Sequence, residues 1–66
     1  MKSAKEVGQT IKHIRIGKKL SQKDFSKKIE TTVSALSNWE NGRNYPKDDY
    51  LINISNIFNV PLDIFK

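Results

Sequence analysis

The chain has 66 residues, the size of one small domain, and a formal net charge of +5. It contains no cysteine and a single histidine, which excludes disulfides, thiolate metal sites and a cluster of histidine ligands. A core of this size is marginal, so stability has to come from well-packed helices or from a partner subunit. We expect residues 1–66 to form a single domain.

The positive charge is concentrated in the first half of the chain. Residues 1–28 hold nine Lys/Arg and two acidic residues, a balance of +7, whereas residues 29–66 hold three and five, a balance of −2. A basic half is typical of a protein that binds a polyanion, and a solvated surface that aids solubility is the alternative. No apolar run approaches the roughly 20 residues of a transmembrane helix, and no signal-peptide core is present. We therefore expect a cytoplasmic protein that does not bind the membrane.

Helix-start signals predict where the first three helices begin. Ser3 and Glu6 form an S-x-x-E capping box, and helix 1 then runs to about Lys18. Ser21 is expected to cap helix 2, and Thr32 is expected to cap helix 3. The apolar side chains of these helices recur at helical spacing, which predicts a core containing Val7, Ile11, Ile14, Phe25, Ile29, Leu36 and Trp39.

The rest of the chain predicts two more helices. Helix 3 ends near Asn41, and Gly42 follows at the position of a left-handed helix cap. Asp48 and Asp49 mark the start of helix 4, where carboxylates favour the positive end of the helix dipole, and Pro61 opens a short fifth helix. No segment alternates with period two, so the predicted fold class is all-α, a compact five-helix bundle. The residues expected to be buried from these two helices are Leu51, Ile54, Ile57, Phe58, Leu62 and Phe65.

Four short segments have a joint spacing that points to one family. They are Ile11-x-x-Ile14-Arg15, Leu20-Ser21-Gln22, Leu36-Ser37-x-Trp39-Glu40-x-Gly42-Arg43 with Pro46 three residues later, and Asn59-Val60-Pro61-Leu62-Asp63. With these segments, the chain from about Val7 to Phe65 resembles the lambda-type phage repressor, or XRE-type, helix-turn-helix domain. The resemblance implies a lambda-repressor-like bundle in which helices 2 and 3 form the helix-turn-helix.

The chain departs from the family pattern at three turn or helix positions. The family usually has alanine at position 26 and glycine at position 30, where this chain has Ser26 and Glu30, and Lys19 replaces another common glycine. A left-handed backbone conformation at position 30 would cost glutamate about 1–2 kcal/mol. We therefore expect either a strained Glu30 or a turn of slightly different geometry.

The resemblance also implies that the start of helix 3 enters the DNA major groove. Asn38 carries a donor and an acceptor that match N6 and N7 of adenine, and Val33 offers a methyl surface to thymine. Because helix 3 has no arginine to bind guanine, we expect a preference for A·T pairs unless an arginine from elsewhere intervenes. The alternative is that Val33 belongs to the core and that Ser34 and Asn38 are ordinary solvated residues. The residues implied to contact bases are Val33, Ser34, Ser37 and Asn38.

Two further roles follow from the resemblance. Arg15, which ends helix 1, is expected to form a partly buried ion pair with Glu40, and this pair would fix helix 3 against helix 1. Side chains that flank helices 2 and 3 are expected to contact phosphates, which position a protein on DNA without reading its sequence. The residues implied for this role are Gln22, Lys23, Thr32, Asn41 and Arg43.

The main hypothesis is a transcriptional repressor that binds a palindromic operator in double-stranded DNA as a homodimer. The alternative is a protein-interaction module, such as an antitoxin or a scaffold, that uses the same fold to hold a protein partner. We find no nucleophile–base pair, metal cluster or phosphate-binding glycine loop, so we expect no catalysis, no cofactor and no small-molecule substrate. The residues expected at the dimer surface are Tyr45, Pro61, Ile64 and Phe65.

Overall fold

The computed structural model describes residues 2–66 as four α-helices followed by a single 3-10 turn. The α-helices are α1 (Ala4–Gly17), α2 (Gln22–Lys28), α3 (Val33–Glu40) and α4 (Asp48–Phe58), and the 3-10 helix spans Leu62–Phe65. This part of the chain contains no strand, so the all-α prediction is confirmed. The predicted short fifth helix corresponds to this 3-10 turn, so the fold is confirmed as four α-helices and one 3-10 turn. Within residues 2–66, each helix is too short or too polar to span a lipid bilayer.

The predicted N-terminal caps are present on the first three helices. Ser3 Oγ accepts a hydrogen bond from the amide of Glu6 at 3.2 Å, and Glu6 Oε1 accepts one from the amide of Ser3 at 3.0 Å. Hydrogen bonds with Ser3 hold the pKa of the Glu6 carboxyl below its ordinary value, and the bond from the Ser3 backbone amide has the largest effect. Ser21 and Thr32 accept hydrogen bonds at 3.0 Å from the amides three residues further on. Local sequence signals therefore determine where these helices begin.

Left-handed residues follow all four α-helices, and only one of these residues is glycine. Glu30 has a φ of 60°, and the amides of Glu30 and Thr31 donate to carbonyl groups near the end of α2 in a Schellman motif. Glu30 therefore adopts the geometry in which the family pattern has glycine, and a turn of different geometry is excluded. The left-handed residues are Lys19, Glu30, Gly42 and Asn59.

Replacing Glu30 with glycine is expected to raise the free energy of unfolding by about 1 kcal/mol, because glycine adopts a positive φ without a steric cost. Glu30 is exposed, so its removal leaves the core intact. Urea-induced unfolding followed by the fluorescence of Trp39 would measure the change. Glu30→Ala is the matched control, since it removes the same charge but keeps a Cβ at a φ of 60°. Equal stabilisation by glycine and alanine would show that charge, not backbone strain, is responsible.

The hydrophobic core draws on every helix of the described chain. Phe25 of α2 and Phe58 of α4 stack with their ring centroids 4.8 Å apart, which joins the helix-turn-helix to α4. Trp39 of α3 packs against Tyr50 of α4, with the ring centroids 5.0 Å apart. Ile14 lies at the edge of this core and is partly buried. The buried apolar residues are Val7, Ile11, Phe25, Ile29, Leu36, Trp39, Leu51, Ile54, Phe58 and Phe65.

The prediction of burial is wrong for two residues. Ile57 and Leu62 keep 48% and 36% of their surface exposed. At 3.6 residues per turn, Ile57 lies about 90° from the middle of the buried stripe of α4, so it points past the covered face. Leu62 begins the 3-10 turn and lies at the rim of a surface groove. Helical spacing alone therefore overestimates the width of the buried face.

Candidate nucleic-acid interface

The position of α3 depends on a close contact with α1 at Gly8. A Cβ added to Gly8 would lie 1.8 Å from the carbonyl oxygen of Trp39 and 2.8 Å from its carbonyl carbon. Only glycine allows the two helices to approach this closely. The role of Gly8 was not predicted from the sequence, although a glycine inside a helix, where it costs about 1 kcal/mol, is a signal of close packing.

The structure also contains an ion pair between Arg15 and Glu40, the two residues for which the resemblance implied one. Arg15 Nε donates to Glu40 Oε2 at 2.7 Å, and Arg15 Nη2 donates to Glu40 Oε1 at 3.0 Å. A third donor, Nη1, binds the carbonyl oxygen of Leu20 at 3.0 Å. The two side chains keep only 14% and 4% of their surface exposed. Arg15 lies two turns after Gly8 on the same face of α1, so both residues fix the end of α3.

The hydrogen bonds of this pair stabilise the charged form of Arg15. Bonding to Glu40 raises the pKa of the Arg15 guanidinium above its ordinary value, which outweighs the opposing effect of burial. A group whose pKa is higher in the folded than in the unfolded state stabilises the fold, and the full effect is present at every pH below the unfolded pKa. The contribution of Arg15 is therefore constant across the physiological pH range.

The residues implied to contact bases lie on the accessible flank of α3, opposite the core. Val33 keeps 43% of its surface exposed, so the alternative that it belongs to the core is excluded. Ser34 is exposed, and Ser37 and Asn38 are half-buried. The side of α3 that faces the bundle carries Leu36, Trp39 and Glu40, and all three are buried. We call the exposed flank, formed by Val33, Ser34, Ser37 and Asn38, the recognition flank.

One residue implied to contact phosphate belongs to the ion-pair network. Gln22 is half-buried, and its Nε2 donates to Glu40 Oε1 at 3.1 Å. Gln22 therefore joins the start of α2 to the end of α3, a role that its position in the sequence did not reveal. The other residues implied for phosphate contact are exposed, and they are Lys23, Thr32, Asn41 and Arg43.

Two of these exposed residues are hydrogen-bonded to the recognition flank. Asn41 Nδ2 donates to Ser37 Oγ at 3.4 Å. Arg43 Nη1 donates to Asn38 Oδ1, also at 3.4 Å. Polar side chains after the end of α3 thus fold back beside the recognition flank.

The residues expected at the dimer surface differ in exposure. Tyr45 and Pro61 are exposed, Ile64 is half-buried and Phe65 keeps only 2% of its surface exposed. Phe65 is therefore a core residue and is removed from the predicted dimer surface, because the 3-10 turn directs its ring into the bundle. A groove of about 490 Å³ lies beside this turn and is lined by Tyr45, Asp48, Leu51, Ile52, Leu62, Phe65 and Lys66.

Comparison with known proteins places this arrangement in a family. A family model described as helix-turn-helix matches residues 11–65. The HTH-type transcriptional activator BcrR of Enterococcus faecalis is 33% identical over 58 residues, which are 88% of this chain and 28% of that protein. The chain thus spans less than a third of the length of this curated relative. No solved structure gives a significant match. The matched residues include both helices of the turn motif and the Arg15–Glu40 pair, and the chain belongs to the XRE-type helix-turn-helix family.

Proposed function

We propose that this domain binds double-stranded DNA in a sequence-specific manner and regulates transcription, with α3 in the major groove. The observation that carries the proposal is the recognition flank, whose side chains are exposed or half-buried while the opposite side of α3 is buried. The Gly8 contact and the Arg15–Glu40 pair hold this flank in one orientation. Rigid support of this kind allows side chains to meet base edges at a defined register.

The charge distribution and the relative support the same function. The first 28 residues carry a balance of +7, which favours association with the phosphate backbone. Lys23, Thr32 and Asn41 are exposed around the two helices of the motif, and we assign them phosphate contacts together with Gln22. The relative BcrR is named a transcriptional activator.

Two copies of the domain would bind a palindromic operator, with the α3 helices of the two copies about one turn of DNA apart. Exposed apolar side chains around the groove support such a pairing, because Tyr45, Ile52 and Leu62 keep 40%, 43% and 36% of their surface exposed. Pro61 and Ile64 lie beside this surface in the chain. Bound at a promoter, the dimer would repress transcription by occlusion.

Selection of binding sites from a random pool of DNA duplexes tests this function. The wild-type domain is expected to enrich a two-fold symmetric site, and its affinity is expected to fall steeply with salt. Asn38→Ala is expected to reduce discrimination at one base pair of each half-site by about 10- to 100-fold. Asn56→Ala is the matched control, since Asn56 is an exposed asparagine of α4 outside the recognition flank. Failure of the wild-type domain to enrich any site would contradict the proposal and favour the protein-interaction module.

A further inference from the structure

Arg43 is held beside Asn38 at the end of the recognition flank. Its Nη1 donates to Asn38 Oδ1 at 3.4 Å, and its amide donates to the carbonyl oxygen of the same residue at 2.9 Å. Gly42, with a φ of 73°, reverses the backbone and makes both contacts possible. The side chain of Arg43 therefore returns over the last turn of α3 and does not extend away from it.

This contact changes the hydrogen-bonding groups that Asn38 presents. An asparagine amide with both groups available offers a donor and an acceptor, which match N6 and N7 of adenine. The bond from Arg43 takes one of the two acceptor sites of Oδ1, so Asn38 keeps its Nδ2 hydrogens and one acceptor site, and the guanidinium adds further donors beside them. A surface on which donors outnumber acceptors is best matched by a base edge made of acceptors alone. In the major groove that edge belongs to guanine, through N7 and O6.

The two arginines of the chain have different environments. Arg15 is committed to Glu40 and to the carbonyl oxygen of Leu20, with its side chain mostly buried. Arg43 is exposed, and one 3.4 Å hydrogen bond leaves most of its five N–H donors for a ligand. Arg43 is therefore the residue of this chain that can bind guanine through two parallel hydrogen bonds.

We propose that Arg43 and Asn38 act together to read a guanine in each half-site, and that Arg43 determines specificity instead of contacting phosphate. This inference rests on the proposed DNA-binding function and replaces the expected preference for A·T pairs at this position. The two roles of Arg43 have different consequences. Loss of a phosphate contact weakens binding to all sequences alike, whereas loss of a base contact removes the preference at one position.

The test compares wild-type protein with Arg43→Lys and Arg43→Ala on the selected duplex and on duplexes carrying each other base pair at the guanine position. The wild type is expected to prefer guanine by about 10- to 100-fold. Both variants are expected to lose most of this preference. Lysine keeps the charge but lacks the planar fork of the guanidinium, so Arg43→Lys is expected to keep the wild-type dependence of binding on salt. Unfolding midpoints are expected to be unchanged, because Arg43 is exposed.

Lys47→Ala is a matched control for loss of one exposed positive charge from the same loop. It is expected to leave the guanine preference unchanged. Guanine preference retained in Arg43→Lys, or a uniform weakening of all four duplexes by Arg43→Ala, would overturn the inference and return Arg43 to phosphate contact. A selected site without guanine would overturn it as well. These outcomes differ from failure of the proposed function, in which the wild-type protein enriches no site.

Discussion

Replacing Gly8 with alanine is expected to lower the free energy of unfolding by about 3 kcal/mol or more. The new methyl group would lie 1.8 Å from the carbonyl oxygen of Trp39, a backbone atom that cannot rotate away as a side chain does. The two helices would have to separate, which opens the core around Val7 and Ile11. Domains of this size have a total stability of roughly 3–10 kcal/mol, so this single methyl group removes a large part of it.

Gly17→Ala provides the matched control within the same helix. A Cβ at Gly17 would meet no atom within 4 Å, and alanine stabilises a helix by about 1 kcal/mol relative to glycine. We therefore expect Gly17→Ala to keep or raise the thermal unfolding midpoint while Gly8→Ala lowers it strongly. Circular dichroism during heating measures both. Similar midpoints for the two variants would contradict the close contact between α1 and α3.

Replacing Glu40 with alanine is the second change with a large expected effect. It would leave the Arg15 guanidinium mostly buried without its partner and would also remove the acceptor of Gln22. Breaking a buried pair in this way costs about 3–5 kcal/mol. Because Arg15 keeps 14% of its side chain exposed, partial solvation places the expected loss near the lower end of that range. Urea-induced unfolding is the appropriate measurement.

A double variant distinguishes the loss of the ion pair from the cost of leaving one charged group buried without its partner. In Arg15→Met with Glu40→Leu, both charged groups become apolar side chains of similar size, an exchange that is often neutral. We expect the double variant to recover most of the stability lost in Glu40→Ala. If it does, its affinity for the selected DNA site shows whether the network also orients α3. A double variant as unstable as Glu40→Ala would show that the ion pair itself stabilises the domain.

The structure also explains how the chain tolerates its departures from the family pattern. Glu30 and Lys19 occupy left-handed positions without being glycine, and the turns they form keep the Schellman hydrogen bonds. Ser26 is buried, and its hydroxyl donates to the carbonyl oxygen of Lys23 at 3.0 Å. A buried hydroxyl with a hydrogen-bond partner carries little cost. The effects of these substitutions are therefore confined to local backbone strain and one local hydrogen bond.

Local patterns in the sequence predicted where the helices begin, most of the core and the family. Helix starts at Ser3, Ser21 and Thr32 depend on hydrogen bonds that span three residues, so the sequence carries the whole signal. Helical spacing likewise identified the centre of each buried stripe, as with Leu51 and Ile54. The family motif added the pairing of Arg15 with Glu40, which composition and spacing alone do not indicate.

Contacts across the bundle, in contrast, depend on how the helices pack against one another. Ile57 and Phe65 are both apolar and near a helix end, yet one is exposed and the other buried, because burial depends on which element covers each side chain. The Gly8 contact and the bond from Gln22 to Glu40 depend on the distance and angle between helices. These quantities result from the packing of the whole core, so no short segment of sequence specifies them.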